Sequence, residues 1–216
     1  MLPCQAMVEQ TSPRWLLPVE LAALAACTLA PAGLALPVPV AVPLLAIAAV
    51  SVAARRATFL SPPGRGALEG ILLGALAGLV GLVAAVTLAT PMLQDGFGLM
   101  VRWGQSPAVR GSLDAAIGVA LVAGALTTAQ ELIFRRWILE RAYSLGASGS
   151  GSILIAGAAE ALVGPGSFGA RLGAALFGVA LGMLYWRGGR RLGPALAARL
   201  AFTWGALSLQ ALRWIE

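Results

Sequence analysis

The chain has 216 residues, of which 59% are hydrophobic and only 11% are charged, and its mean hydropathy is +0.85. This leaves too little polar surface to cover a water-soluble globule, so the composition predicts an integral membrane protein. The net charge of +6 comes from 15 basic residues, all of them arginine. In a membrane protein we interpret these arginines as topology signals and lipid-headgroup contacts, which argues against a nucleic-acid surface.

Apolar runs predict an all-α, polytopic transmembrane helical bundle of about seven spans, because a spanning helix needs roughly 20 apolar residues. The run 152–164 is short for a span. The first two runs are broken by prolines, so one of them is expected to be re-entrant or strongly kinked. We predict an N-terminal tail with two membrane segments over residues 1–54 and a helical core over 55–216. The predicted spans are 15–36, 38–54, 67–90, 113–134, 152–164, 170–186 and 192–214.

The arginines predict the orientation of these spans, because cytoplasmic loops carry the excess of positive charge. Ten fall on one side and four on the other, while Arg199 lies inside the last span, so we predict a multi-pass protein of the cell membrane with a cytoplasmic N terminus and an outside C terminus. Tryptophans near the span ends are interpreted as interfacial anchors. The ten arginines are Arg14, Arg55, Arg56, Arg65, Arg135, Arg136, Arg141, Arg187, Arg190 and Arg191, and the tryptophans are Trp15, Trp103, Trp137, Trp186 and Trp214.

Small residues recur at four-residue spacing on two predicted helices, and such ridges let helix backbones approach closely. Gly70, Gly74 and Gly78 form the first ridge, and Gly178 with Gly182 forms the second. We expect both to pack inside the bundle and favour this over a homodimer interface. The segment 142–151 is rich in glycine and serine, which predicts a flexible connector.

The segment 127–136 places a Gln-Glu pair, Gln130 and Glu131, at the inner end of an apolar run. Carboxylates embedded in lipid are costly and usually functional. Glu131 and Arg135 are four residues apart on one helix, so the spacing predicts an ion pair on a common face. The alternative reading is a charge pair at the membrane interface, with Arg135 extending toward the headgroups.

Residues 130–135, Gln-Glu-Leu-Ile-Phe-Arg, closely resemble the Glu-Glu-x-x-x-Arg signature of the CPBP family, the intramembrane proteases that include type II CAAX prenyl endopeptidases. The segment 176–203 resembles the family's final two helices, in which a glycine-rich span and a basic turn precede a His-x-x-x-Asn motif. Together these cover about 113–205. The resemblance implies a glutamate-dependent endopeptidase in which the first Glu and a following His activate water, while the last His and Asn stabilise the oxyanion.

The chain departs from that motif at most positions, since it contains no histidine at all. Gln130 replaces the first Glu and cannot accept a proton. The second Glu and the Arg are retained as Glu131 and Arg135, whereas the middle His is missing near Val163 or Gly164. The last motif becomes the segment from Arg199 to Thr203, with Ala198 as the start in an alternative register.

Two substitutions bring new charges into the region that should hold the catalytic histidines: Glu160 and Arg199. We expect Arg199 to pair with Glu160 or Glu131 inside the bundle, because an unpaired charge at that depth costs several kcal/mol. The competing use of a buried arginine is to attract a lipid phosphate. Thr203 completes the predicted polar centre.

The sequence leaves three functions open. The leading one is a non-catalytic pseudoprotease that binds or modulates a membrane substrate, an active protease or a sorting partner. The others are an active intramembrane endopeptidase that uses Glu131 or Glu160 as base and Arg199 as electrostatic donor, and a transporter or lipid-handling bundle with a polar pathway through Glu131, Glu160 and Arg199. No cofactor or metal is expected, because phosphate-binding and dinucleotide motifs are missing and Cys4 and Cys27 lack ligand spacing.

Overall fold

The computed structural model describes residues 46, 50, 66–96, 113–163 and 168–212. The predicted spans 15–36 and 38–54 therefore fall almost entirely outside the described residues, as do both cysteines, the arginines at 14, 55, 56, 65, 102, 110 and 213, and the tryptophans at 15, 103 and 214. The chain divides into two units, Met1–Phe59 and Leu60–Glu216. All helices discussed below belong to the second unit.

The regular structure of the described residues is helical, which confirms the predicted all-α class. Two long helical segments change character along their length. The first, α1, continues into π-helical stretches at Ala85–Ala89 and Met92–Gly96. In the second, α2 passes directly into a π-helix and then into α3. The π-helix, Leu132–Leu139, bonds each turn one residue further along than an α-helix does. The helices are α1 Ala67–Ala84, α2 Leu113–Glu131, α3 Glu140–Ser144, α4 Gly149–Val163, α5 Phe168–Arg187 and α6 Leu192–Ala211.

Three helical segments are long and apolar enough to cross a membrane: Ala67–Gly96, Ile117–Ser144 and Phe168–Arg187. They correspond to the predicted spans 67–90, 113–134 and 170–186. The predicted spans 152–164 and 192–214 form helices too, but α4 has only 15 residues, and α6 carries Arg199 and Gln210 within its apolar sequence. The described residues thus contain three candidate spans, and a total of seven is not confirmed.

The end of the predicted span 113–134 is wrong, because the helical segment continues to Ser144. Arg135 is fully buried and Trp137 is only 3% exposed. Both side chains are enclosed by protein, so the alternative reading of Arg135 as an arginine that extends toward the headgroups and the expected anchoring by Trp137 are both corrected. The predicted ion pair of Arg135 with Glu131 is present. The physical reason is that apolar side chains of the π-helix, such as Ile133 and Leu139, pack in the protein interior, so the polar residues between them are buried as well.

The predicted connector 142–151 is also largely helical. Helix α3 ends at Ser144 and α4 begins at Gly149, so only residues 145–148 link them. Backbone hydrogen bonds from Gly146 to Tyr143 and from Ala147 to Ala142 fix this turn. The glycines and serines of the segment therefore form a tight turn and the first turn of a helix, where a flexible loop was expected.

Both glycine ridges pack inside the chain, as predicted. A Cβ atom at Gly74 would overlap the backbone carbonyl of Pro194, and one at Gly78 would overlap that of Ala198. The first ridge thus presses α1 directly against the backbone of α6. The second ridge packs α5 on α4, since a Cβ at Gly182 would meet Ile153 at 3.0 Å.

The outer surface of α1 is apolar, in keeping with a lipid environment. Six large aliphatic side chains on this helix are each more than half exposed, while the buried face touches α6. A water-soluble helix would show polar residues there. The exposed residues are Leu68, Leu72, Leu73, Leu76, Val80 and Val83.

Candidate functional site

Four charged side chains from three separate helical segments meet in the interior of the bundle. Glu131 is the last residue of α2 and Arg135 lies on the π-helix, whereas Glu160 comes from α4 and Arg199 from α6. We call these four residues the charge cluster. Local sequence places only one of its pairs, since Glu131 and Arg135 are neighbours on one helix; packing of α4 and α6 supplies the other two members.

Each carboxylate of the charge cluster faces both arginines. Arg199 Nη1 lies 2.8 Å from Glu131 Oε1 and 2.5 Å from Glu160 Oε1. Arg135 Nη2 donates to Glu160 Oε2 at 2.8 Å, and Arg135 Nε lies 3.4 Å from Glu131 Oε2. The four ion pairs therefore form a closed ring of alternating charge.

The charge cluster is almost fully removed from solvent. The side chains of Glu131 and Arg135 are 0% exposed and that of Glu160 is 4% exposed, while Arg199 retains 12%. Removing one partner of a buried ion pair costs about 3–5 kcal/mol, because the other charge is left uncompensated. The ring arrangement avoids that cost by giving every charge two opposite neighbours.

A glycine on α5 makes room for one of the carboxylates. A Cβ atom at Gly178 would lie 2.7 Å from Glu160 Oε2 and 3.1 Å from the Cα of Gly157. Both glycines are buried at the contact between α4 and α5. This close backbone approach is what places the Glu160 carboxylate within reach of Arg135.

Aromatic side chains border the cluster on the side of Arg199. The guanidinium carbon of Arg199 lies 5.8 Å from the ring centre of Phe177, a distance at which an arginine is attracted to the ring face. Phe177 in turn packs against Phe202, with ring centres 4.6 Å apart. Arg199 is thus held by two carboxylates and an aromatic ring together.

The structure places the remaining predicted site residues beside the cluster but not in its ion pairs. Gln130 is half-buried, and within the described residues its side chain has no hydrogen-bond partner. Thr203 lies one turn beyond Arg199 on α6 and is half-buried. Val163, expected near the missing middle histidine, is the last residue of α4, nearly one full turn beyond Glu160.

Several buried nitrogen and oxygen atoms of the charge cluster make no hydrogen bond of good geometry, although their side chains form ion pairs. Arg135 Nη1 is buried and lacks a hydrogen-bond partner among the described residues, and Glu131 Oε2 and Glu160 Oε1 lack well-aligned donors. The cluster is therefore held mainly by charge and close packing. It offers no group of three or more acidic, cysteine or histidine side chains for a metal within the part of the chain that the structure describes.

A second polar network, which the sequence did not predict, lies where α3 approaches the turn between α5 and α6. Glu140 accepts a hydrogen bond from Tyr185 at 2.6 Å and another from Arg190 Nε at 2.9 Å, and it forms an ion pair with Arg190 Nη2. Arg190 also lies over the ring of Tyr143 at 5.0 Å. The only feature of the sequence that pointed to this network was one acidic residue, Glu140, within the arginine-rich segment 135–141.

Glu140 keeps Arg190 charged. The hydrogen bond from Arg190 to this carboxylate raises the pKa of the guanidinium above its already high ordinary value, against the smaller opposing effect of burial. Arg190 therefore stays cationic at every physiological pH. This network is a permanent tie between α3 and the α5–α6 turn and does not respond to pH through Arg190.

Residues 112–205 match the family model described as type II CAAX prenyl endopeptidase Rce1-like. The matched segment contains all four members of the charge cluster, together with Gln130 and Thr203. Comparison with curated proteins and with solved structures gives no match. The similarity to the Rce1-like family of type II CAAX prenyl endopeptidases is therefore shown for residues 112–205.

Proposed function

We propose that the chain is a non-catalytic member of this family, which binds or modulates a peptide or protein in the membrane without cleaving it. The observation that supports this most directly is Arg199, which bridges Glu131 and Glu160 at 2.8 and 2.5 Å. In the family resemblance this part of α6 carries the last catalytic histidine. An ion-pair ring thus occupies the region where water would be activated.

The chemistry of the four side chains supports the same conclusion. A general base must reach the proton that it abstracts, directly or through one water. Glu131 is 0% exposed and forms ion pairs with both arginines of the charge cluster. Neither arginine can act as the proton acceptor that a histidine provides, because the guanidinium does not deprotonate in proteins.

Gln130, which stands at the position of the motif's first Glu, cannot serve as the general base in its place. Gln130 is a neutral amide, and within the described residues it has no hydrogen bond that links it to the cluster. Loss of one oxyanion donor alone lowers a rate by about a hundred- to a thousandfold. Loss of the base, its histidine partner and an oxyanion donor together leaves very little expected hydrolysis.

For the ligand, we propose a lipid-anchored peptide. The family's description names prenylated CAAX sequences as substrates of its enzymes, and the exposed surface of the helices in this chain is strongly apolar. A prenyl chain that enters the bilayer is stabilised by about 0.8 kcal/mol for each methylene group removed from water, which brings the peptide to the depth of these helices. Binding of the ligand therefore does not require the lost catalytic residues.

The proposal can be tested with purified full-length protein in phosphatidylcholine vesicles. A prenylated CAAX peptide that carries a photoreactive group is added, and both crosslinking and cleavage are measured by mass spectrometry. We expect crosslinked, intact peptide. An active enzyme of the same family, assayed in parallel, shows that the peptide is cleavable.

Two variants separate the alternatives. Glu131→Gln removes the only carboxylate retained from the motif, and Gln130→Ala changes its neighbour, which lies outside the ion pairs. Cleavage by the wild type that persists in Gln130→Ala and disappears in a folded Glu131→Gln variant would show an active endopeptidase with Glu131 as base. The absence of both cleavage and crosslinking would reject the proposed ligand class.

In cells, the N termini of membrane proteins can be compared between the wild-type host, a deletion strain and a strain with Glu131→Gln. We expect the three sets to agree. New N termini that depend on both the gene and Glu131 would contradict a non-catalytic role.

A further inference from the structure

The turn between α5 and α6, residues 187–191, is strongly basic and adjoins two aromatic side chains. We call it the basic turn. It contains Arg187, Arg190 and Arg191 in five residues. Trp186 and Tyr143 meet edge to face beside it, with ring centres 5.0 Å apart.

The backbone of the basic turn is tightly fixed. Gly189 and Arg190 both have left-handed conformations, with φ of 71° and 62°, and the second is unusual for a residue with a side chain. Backbone hydrogen bonds from Gly189 to Trp186 and from Arg190 to Tyr185 close the turn. The ties of Arg190 to Glu140 hold it against α3. The three arginines are therefore presented on a rigid frame.

The arginines of the basic turn differ in how they are used. Arg190 is committed to Glu140. By contrast, no ion pair or hydrogen bond of the Arg187 or Arg191 side chain is found within the described residues, and Arg187 is exposed. Glu140 has both of its carboxylate oxygens engaged by Tyr185 and Arg190. The positive charge of Arg187 and Arg191 is thus left without a carboxylate partner in the described structure.

The surroundings add further positive charge. Arg136 and Arg141 lie at the same end of the bundle, because Arg136 reaches Tyr185 and Arg141 follows Glu140 on α3. The acids described at this end are Glu140 and Glu69, so five arginines face two carboxylates. Arg191 also occupies the N-cap position of α6, where no side chain caps the helix, and the positive end of the α6 dipole adds to the same field.

We infer that the basic turn binds the phosphate group of an anionic phospholipid, with Arg187 and Arg191 as its charged contacts. A candidate membrane span, Phe168–Arg187, ends where the turn begins, and the end of a span is the depth at which the phosphates of the headgroup layer are found. The exposed edge of Tyr143 and the half-buried indole of Trp186 are suited to the glycerol and upper acyl region. This inference is independent of whether the chain cleaves peptides.

Thermal unfolding of the purified full-length protein in detergent tests the inference. The probes are short-chain phosphatidylglycerol, short-chain phosphatidylcholine and inorganic phosphate, each titrated separately. Since a ligand that binds only the folded state raises the unfolding midpoint, we expect a rise with phosphatidylglycerol and much less with the other two. Each arginine at an anionic surface is expected to contribute about fivefold in affinity.

The variants are Arg187→Gln and Arg191→Gln, with Arg171→Gln as the charge-matched control. Arg171 lies on the same helix as Arg187, near its opposite end, and is exposed. We expect each of the first two variants to weaken phosphatidylglycerol binding about fivefold and the control to leave it unchanged. Their unliganded midpoints should match that of the wild type, because neither arginine has an ion pair to lose within the described structure.

Three results would overturn the inference. Equal binding by all three variants would place the lipid elsewhere. An equal response to phosphatidylcholine would show that the anionic phosphate is not recognised. A response to inorganic phosphate as large as that to phosphatidylglycerol would indicate a site for free phosphate and not for lipid.

Discussion

Among single residues, Arg199 on α6 has the largest effect on the environment of the Glu131–Arg135 motif pair. The retained motif pair, Glu131 and Arg135, leaves open whether a catalytic carboxylate is available. Arg199 supports the non-catalytic role proposed above, since it binds that carboxylate and Glu160 at once. The energetic consequence is that all four charges depend on one another.

We predict that Arg199→Gln destabilises the protein by about 3 kcal/mol, because it leaves two buried carboxylates to a single arginine. Arg171→Gln, an exposed site on α5, should change stability by less than about 0.5 kcal/mol. The free energy of unfolding in detergent, measured by denaturant titration, provides the comparison.

The same measurement on Glu131→Gln and on the double variant gives the coupling between the two residues. The double variant removes one charge of each sign and keeps the cluster neutral, so its cost should fall short of the sum of the single costs by at least about 1 kcal/mol. Additive costs would show that the ion pair does not contribute in the folded protein.

Gly178 gives a second prediction at this scale. Gly178→Ala places a methyl group against Glu160 Oε2 and the backbone of α4, and overpacking of this kind costs about 1–3 kcal/mol. Gly173→Ala on the same helix meets nothing within 4 Å and should be neutral or slightly stabilising, because alanine is the better helix former. The thermal unfolding midpoint should therefore fall in Gly178→Ala and stay unchanged or rise slightly in Gly173→Ala; equal shifts would contradict the contact.

At the scale of helices, the π-helix explains how one segment serves two polar networks. Residues nine apart, such as Glu131 and Glu140, lie about two and a half turns apart on an α-helix and so on opposite sides. The π-helix Leu132–Leu139 has more residues per turn, so the angle around the helix axis between Glu131 and Glu140 differs from the half-turn of an α-helix. Glu131 accordingly meets Arg199 on α6, while Glu140 meets Tyr185 and Arg190 at the end of α5.

The contact between α1 and α6 gives the prediction at this scale. Gly74→Ala and Gly78→Ala each force a methyl group into the backbone of α6, which cannot move aside as a flexible side chain would. We expect each to cost about 1–3 kcal/mol and to separate α1 from α6. Gly81→Ala is the matched control, because its Cβ would meet nothing within 4 Å.

The separation can be measured as disulfide crosslinking between cysteines placed on α1 and α6 in a background without Cys4 and Cys27. Crosslinking should fall in Gly74→Ala and Gly78→Ala and remain in Gly81→Ala. Unchanged crosslinking in all three would mean that the two helices do not depend on this close approach.

At the scale of the whole molecule, sequence patterns predicted what depends on composition and local spacing. The apolar run 170–186 became the helix Phe168–Arg187, and the four-residue spacing of Glu131 and Arg135 became an ion pair. Hydropathy failed beyond residue 134, because charges that neutralise one another in the interior have the same sequence pattern as charges at a membrane surface. The contact of Glu140 with Tyr185 depends on packing between distant segments, which no local pattern encodes.

We predict that the bundle is oriented with the basic turn on the cytoplasmic side of the membrane. The end with the basic turn carries five described arginines, and the positive-inside rule assigns it to the cytoplasm. In a cysteine-free background, Ser144→Cys at this end should resist a membrane-impermeant maleimide in intact cells. Phe168→Cys, at the start of α5 and 72% exposed, should react with it. The reverse pattern would invert the topology.

The charge cluster also determines how the protein responds to the electrical potential across its membrane. One elementary charge that crosses 100 mV changes in energy by about 2.3 kcal/mol. The cluster contains two positive and two negative side chains in mutual contact, so its net charge is zero and the field exerts almost no force on it. A lone Arg199 at the same depth would make the position of α6 voltage-dependent. With its two carboxylates, Arg199 is neutralised, and we expect the position of α6 to depend little on the membrane potential.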